Sequence, residues 1–391
     1  MAERIEIDSL VVGGGAAGLF LLRALRAAGH GALLVERSAL GTGQTTSSQG
    51  ILHAGVKYAL GGVAGDDAQE ASEAAAMWNG MLEGRGLADL RGLRVLAREE
   101  YLWRTAGLMG AAGMLGARLA LRTRPEAVEA SRRPAWLGGV AGDVLTLPET
   151  VIDPRDLLAR LSVAEPGRIA LGEVRSLESG PEGCVVGVQA GARAVQVTAR
   201  RVFLCAGEGN EALLAMAGLA GAEPMQRRPL RQAMVRGELP MVFGHCIDGA
   251  KTRITVTSDT SPEGTVWHVG GEIAERGPEL DEGAFLDRAR TEIAACLPAV
   301  DLRGVEWSSY LVQRAEPRTG GGRRPSAVHV RAHGSLVAVW PVKLVMAPRA
   351  AVAAMELAGV ATSPGGVWPA GCVTPPLAAR PWETAAWRRL P

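Results

Sequence analysis

Cysteine, tyrosine and phenylalanine are scarce in this 391-residue chain, at five, three and four copies. Cys184, Cys205, Cys246, Cys296 and Cys372 lie far apart, are odd in number and form no Cys-x-x-Cys pair. That excludes a disulfide framework and fits a reducing compartment, expected to be the cytoplasm. Charge excess is absent as well: 42 Lys and Arg stand against 41 Asp and Glu, a net charge of +1. Without a basic field, nucleic acid is not an expected partner. No uncharged apolar run reaches the ~18 residues of a membrane-spanning helix. The opening Met1-Ala-Glu-Arg-Ile-Glu-Ile-Asp is acidic where a secretory signal would be basic. Gly107–Leu121 is apolar but carries glycines and Arg118, so it reads as a packed helical segment, with peripheral membrane contact as the alternative. No metal site is expected, because the strand-like alternation around His329 and His333 argues against a helical ligand pair. Repeats and low-complexity linkers are missing too. The length suggests two or three domains, so domains built from interleaved segments explain the missing linker.

What is present begins at the N-terminus. Ile5–Val12 reads as a buried strand that breaks at Gly13-Gly14-Gly15. Ala16–Ala28 then has helical composition, Gly29-His30-Gly31 stops it, and Ala32–Val35 is a second strand ending at Glu36. Gly13-x-Gly15-x-x-Gly18 thus sits between a strand and a helix, the context its chemistry requires. Gly13 permits the tight turn, Gly15 lets the backbone approach a pyrophosphate, and Gly18 lets helix and strand pack closely. Peptide N–H groups at Ala16 and Ala17 would face the phosphates, helped by the helix dipole. Glu36, followed by Arg37, is placed to accept from ribose hydroxyls. This fingerprint alone leaves NAD and FAD open.

Further on, Asp67–Leu82, Leu157–Leu161, Phe285–Leu297 and Met346–Leu357 have helical spacing. Cys184–Val188, Val195–Leu204 and Ser335–Trp340 read as strands, and Pro224–Gly237 and Thr252–Val269 as β-rich.

Three segments decide the cofactor. Gly43-Gln-Thr-Thr-Ser-Ser-Gln-Gly-Ile-Leu-His53-Ala-Gly-Val-Lys57-Tyr58 is a run of small hydroxyl residues followed by His-x-Gly-x-basic-Tyr. Arg201-Val-Phe-Leu-Cys-Ala206-Gly207 is a strand leading to an Ala-Gly turn. Arg314 to Arg318, Arg323-Arg324-Pro325 and Val339-Trp-Pro-Val-Lys343-Leu344 form the third. In these the chain resembles the D-amino-acid-oxidase-like flavoproteins, in the branch of glycerol-3-phosphate dehydrogenase and L-2-hydroxyglutarate oxidase.

The resemblance implies an α/β fold: a Rossmann-like FAD-binding domain of discontinuous segments, of the glutathione-reductase type, with an inserted mixed β-sheet substrate domain. We expect 1–80, 150–215 and 335–391 in the first, and 81–149 and 216–334 in the second. It implies FAD held by Gly13, Gly15, Ala16, Ala17, Gly18, Glu36, Arg37, Thr45, Thr46, Ser47, Ser48, Ala206, Gly207, Lys343 and Leu344. Lys343 would stabilise negative charge on the reduced flavin. It implies a substrate site of His53, Lys57, Tyr58, Arg314, Arg318 and Arg324. Lys57 stands where glycerol-phosphate members carry arginine. His53 is read as a general base, a covalent flavin anchor or a buried hydrogen-bonded histidine. The expected activity is oxidation of a small anionic hydroxy compound by hydride transfer to the flavin, electrons then leaving to oxygen, a quinone or another carrier. No second Gly-x-Gly-x-x-Gly marks a nicotinamide domain. Alternatives are an amino acid or amine oxidase, a flavin-dependent tailoring enzyme, and a flavin-binding protein without activity.

Overall fold

The computed structural model of the chain describes residues 3–53, 66–105, 126–248, 251–322, 325, 327–363 and 365–391, with 66–72 as backbone only. Among the described residues, Glu3–Val12 is the spine of an eight-stranded sheet, flanked in parallel by Arg193–Leu204 and Ala32–Glu36. Its second half is buried on both faces, as its unbroken apolar run demands of a central parallel strand. The two faces alternate along the chain. Val11 and Leu34 enter the core beneath the helices, while Leu10, Val12, Leu33 and Val35 enter the core on the other side.

Helix Ala16–Ala27 returns the chain between the first two parallel strands. Nine of its residues are buried and none before Arg23 is charged, because Ala347–Glu356 and Pro154–Val163 pack against it as well as the sheet. An antiparallel meander, Glu173–Gly180, Gly183–Ala190 and Arg193–Leu204, widens the sheet. Leu336–Trp340, buried at every position, joins it in parallel beside Val202–Leu204.

The second sheet has nine strands among the described residues. Its core is the antiparallel pair Met225–Gly237 and Glu306–Pro317, registered from Met225 opposite Pro317 to Arg236 opposite Glu306. Helix Glu282–Cys296, capped by Asp281 accepting from the Ala284 N–H at 2.9 Å, covers Trp103, Trp267 and Trp307. The segment read as one β-rich stretch, Thr252–Val269, is a hairpin of Lys251–Ser261 and Gly264–Gly270. Gly244–Asp248 pairs in parallel with Glu100–Arg104, which makes the sheet mixed. A small sheet of Ile51–Leu52, Thr150–Ile152 and Val95–Ala97 lies apart from both.

The C-terminal segment straps the molecule. Trp368 Nε1 donates to the carbonyls of Leu34 (3.0 Å) and Arg168 (3.1 Å), and Arg388–Arg389 pairs with Glu306 and Trp307 in the second sheet. The tail therefore spans both sheets, whereas 335–391 were expected with the first. Among the described residues no helix is long and apolar enough to cross a membrane. Gly107–Leu121 lies outside the described residues.

Candidate active site

A cavity of about 1220 Å³ opens at the C-terminal ends of Glu3–Val12 and Ala32–Glu36, where parallel α/β sheets bind their ligands. One wall is the glycine loop with Cys205 to Gly209 and Val339 to Val345; the other is the nine-stranded sheet, through residues such as Gln232, Thr255 and Gln313. The volume exceeds the ~300–1,000 Å³ usual for small-ligand sites and suits a dinucleotide with room for a donor.

The glycines close around that space. Gly13 has φ +111°, and a Cβ there would lie 2.6 Å from the Cys205 carbonyl oxygen. A Cβ on Gly18 would lie 2.0 Å from the Gly13 carbonyl oxygen, so Gly18 serves packing and does not line the cavity. Gly15 caps the helix without any side-chain bond, and the first turn has no acidic residue. The helix start, Gly15 to Ala17, lines the cavity, which fits a pyrophosphate. Glu36 ends its strand on the wall and accepts from the Gly14 N–H at 2.7 Å and the Ser38 N–H at 3.0 Å.

The hydroxyl loop crosses to the second sheet and is pinned there. Gln44 Oε1 accepts from the Ala315 N–H at 2.7 Å, and Gln49 Nε2 donates to the carbonyls of Thr255 (3.0 Å) and His268 (2.8 Å). Tyr310 donates to the Ser47 carbonyl at 3.0 Å and also bonds His268 Nε2. Burial holds His268 neutral, its pKa depressed to about 3, and pushes that of Tyr310 well above its usual value. The bonds then run from imidazole N–H to phenol O–H to carbonyl. Thr45 Oγ1 accepts from the Ala16 N–H at 3.2 Å, and Thr45, Ser47 and Ser48 line the cavity. Thr46 does not: its hydroxyl is buried and donates to the Gly41 carbonyl at 3.0 Å.

On the opposite side, Asn210 accepts from the Ala206 N–H at 2.8 Å and ties this turn to Val339 through a 3.2 Å bond. Trp340 Nε1 donates to the Gly207 carbonyl at 3.1 Å. Val342, with φ 68°, is the one non-glycine residue at positive φ among the described residues. A β-branched residue there stores strain, and it directs the chain into Lys343 and Leu344 on the cavity wall. Burial raises the Cys205 thiol to about 12, so this wall residue stays protonated.

His53 follows Ile51–Leu52 on the wall, and its Nδ1 lies 3.0 Å from Glu149 Oε2, a carboxylate 1% exposed. Glu149 stands in the turn between Val144–Leu147 and Thr150–Ile152, a position with no motif to mark it. Behind them are Glu100 and His245, also buried, the two histidine rings 5.7 Å apart. Arg314 lines the cavity, but Glu275 binds it through both oxygens at 3.0 and 2.7 Å. Arg318 is exposed and off the cavity wall. Lys57, Tyr58 and Arg324 lie outside the described residues. His329 and His333 share a strand, and each Nε2 meets Glu223, at 2.6 and 2.8 Å.

Residues 8–339 match the family described as DAO, FAD dependent oxidoreductase. The chain belongs to this family. Its cofactor is accordingly FAD, and the glycine loop at the start of the first helix fits it. A probable FAD-dependent oxidoreductase of Pseudomonas aeruginosa is 39% identical over 395 residues, spanning 98% of this chain and 100% of that one. The crystal structure of an FAD dependent oxidoreductase from the same species superposes with TM-score 0.81 at 34% identity, over 98% of this chain and 99% of its own. The fold is also that of glycine oxidase from Geobacillus kaustophilus (TM-score 0.66, 16% identity, 92% and 96% covered). L-alpha-glycerophosphate oxidase from Mycoplasma pneumoniae shares it as well (0.69, 15%, 96% and 100%).

Proposed function

We propose that this FAD-dependent oxidoreductase acts on a small hydroxy compound, oxidising its CH–OH to the carbonyl. FAD bound in the cavity supplies the two-electron acceptor. The observation that carries the reading is the His53–Glu149 pair. With Nδ1–H donated to Glu149, His53 keeps the Nε2 lone pair to accept a proton. An alcohol needs such a base, because its O–H does not ionise at neutral pH. An amine depends on it less, because its ammonium, with a pKa near ~10, gives up a proton to solvent far more readily than a hydroxyl does. Among the described wall residues Trp340 is the one Trp, Tyr or Phe, which leaves little for an aromatic amine cage.

The anionic end expected of the donor finds Arg314 already neutralised by Glu275. In this reading that end is held by Lys57, Tyr58 or Arg324. The site assignments proposed for the cofactor are Gly13, Gly15, Ala16, Ala17, Glu36, Arg37, Thr45, Ser47, Ser48, Ala206, Gly207, Lys343 and Leu344, all on the cavity wall. Gly18 and Thr46 act from behind it. We further propose the division into 1–80, 150–215 and 335–391 against 81–149 and 216–334, the cavity between them and the last strand crossing over. Oxygen, a quinone or another carrier takes the electrons onward. The test is product analysis during turnover with hydroxy acids, glycerol phosphate and amino acids. A carbonyl product without ammonia supports the reading; ammonia release confined to amino acids overturns it.

A further inference from the structure

Four ligand-bearing side chains converge behind the cavity wall: His53, Glu100, Glu149 and His245. We propose that they form a site for a divalent transition cation, for which the sequence reading expected none. One donor atom from each lies within 4.8 Å of all the others. A tetrahedral ion bound at ~2.0–2.2 Å would hold its ligand atoms about 3.4 Å apart. His53 Nδ1 to Glu149 Oε2 is 3.0 Å and His245 Nε2 to Glu100 Oε2 is 3.5 Å, values either side of that spacing. Two imidazoles with two carboxylates make a donor set that suits zinc and its neighbours better than magnesium or calcium.

The scaffold is rigid. Glu100 and His245 stand on adjacent parallel strands of the nine-stranded sheet, where Gly244 faces Tyr101 and His245 faces Leu102. His53 follows Ile51–Leu52, and Glu149 immediately precedes the strand Thr150–Ile152 that pairs with it. An ion here would staple the small sheet to the large one. His245 is also oriented from its far side. Its Nδ1 meets Thr255 Oγ1 at 2.8 Å, the outer bond that turns the other ring nitrogen toward a metal. Three of the four side chains are under 5% exposed, and His53 alone reaches the cavity.

A consequence for turnover rests on the reading of His53 as proton acceptor; the binding itself does not. A cation on Nδ1 would take the lone pair there, leave the ring proton on Nε2 and so slow donor-driven reduction of the flavin.

The experiment uses the FAD-loaded protein, stripped with a chelator and titrated with ZnCl2 by equilibrium dialysis in excess Mg2+. The expected result is about one Zn2+ per chain, with Glu100→Gln and His245→Gln each weakening binding more than about tenfold. No saturable Zn2+ binding, or binding that neither variant weakens, overturns the site. Should the variants not fold, CoCl2 added to the unaltered protein decides: strong ligand-field bands beyond the flavin envelope support a four-coordinate site, and their absence refutes it. Binding without loss of turnover would leave the site standing and count against His53 as the base.

Discussion

At the residue scale the account turns on pairs that no motif announces. His53 was legible because its neighbours spell a family pattern. Glu149 was not, since it is 96 residues away and only the fold brings it within 3.0 Å. We expect His53→Asn to lower the rate of flavin reduction by roughly 10²–10⁴-fold while the flavin stays bound. Glu149→Gln should lower kcat about tenfold or more with little change in KM, since it acts through His53. Stopped-flow reduction and flavin absorbance together check both. His268 carries a pH dependence. Its folded pKa of about 3 lies below the unfolded value near 6.5. The unfolded chain therefore binds a proton that the native state refuses, and stability falls as pH drops from about 6.5 towards 3. Urea titrations should show a slope of about 1.4 kcal/mol per pH unit in that window that His268→Asn removes.

At the scale of elements, regular segments with strong patterning were the readable ones. The first strand, the glycine turn, the helix after it and the second strand were legible because each local preference agrees with the next. Helix Glu282–Cys296 and strand Leu336–Trp340 came through with ends displaced by a few residues at most. Short strands such as Val95–Ala97, Val144–Leu147 and Thr150–Ile152 escaped, because three or four residues carry too little periodicity to separate from loop. Thr46 shows the limit of composition: four hydroxyl residues in a row look alike, and only the backbone path turns one of them inward. The glycine loop yields the sharpest prediction at this scale. Gly13→Ala adds a Cβ 2.6 Å from the Cys205 carbonyl oxygen at φ +111°, so both strain and collision follow. The purified variant should carry little or no flavin, measured by absorbance after desalting; near-stoichiometric flavin would refute the close approach.

At the scale of the whole molecule, two devices hold the sheets around the cavity. One is the C-terminal strap. The other is a network of two arginines, two aspartates and a glutamate. Arg94 bonds Asp153 at 3.1 Å and Asp259 at 2.9 Å, and Arg380 from the strap bonds Asp153 and, at 2.9 Å, Glu383. Burial alone would raise the Asp153 pKa, but the bonds from Arg380 and Arg94 outweigh it and the carboxyl stays below its usual range. Asp153 is also the cap of helix Pro154–Val163, so one carboxylate ties helix and strap together, and Arg94 carries the link on to Asp259 in the second sheet. Arg380→Met should cost about 2–4 kcal/mol, since it leaves buried aspartates short of a partner. Chemical denaturation reads this directly, and a loss below about 0.5 kcal/mol would show the network to be dispensable. None of this was visible in the sequence, where the last thirty or so residues show no periodicity to read.

The central claim is that the cavity holds FAD beside a base suited to a hydroxyl donor, and one spectrum tests it most directly. The purified protein is scanned without oxygen before and after addition of small 2-hydroxy acids and glycerol phosphate, then amino acids. The account predicts flavin bands that bleach with a hydroxy compound and remain with amino acids. Bands that bleach with amino acids alone would contradict it.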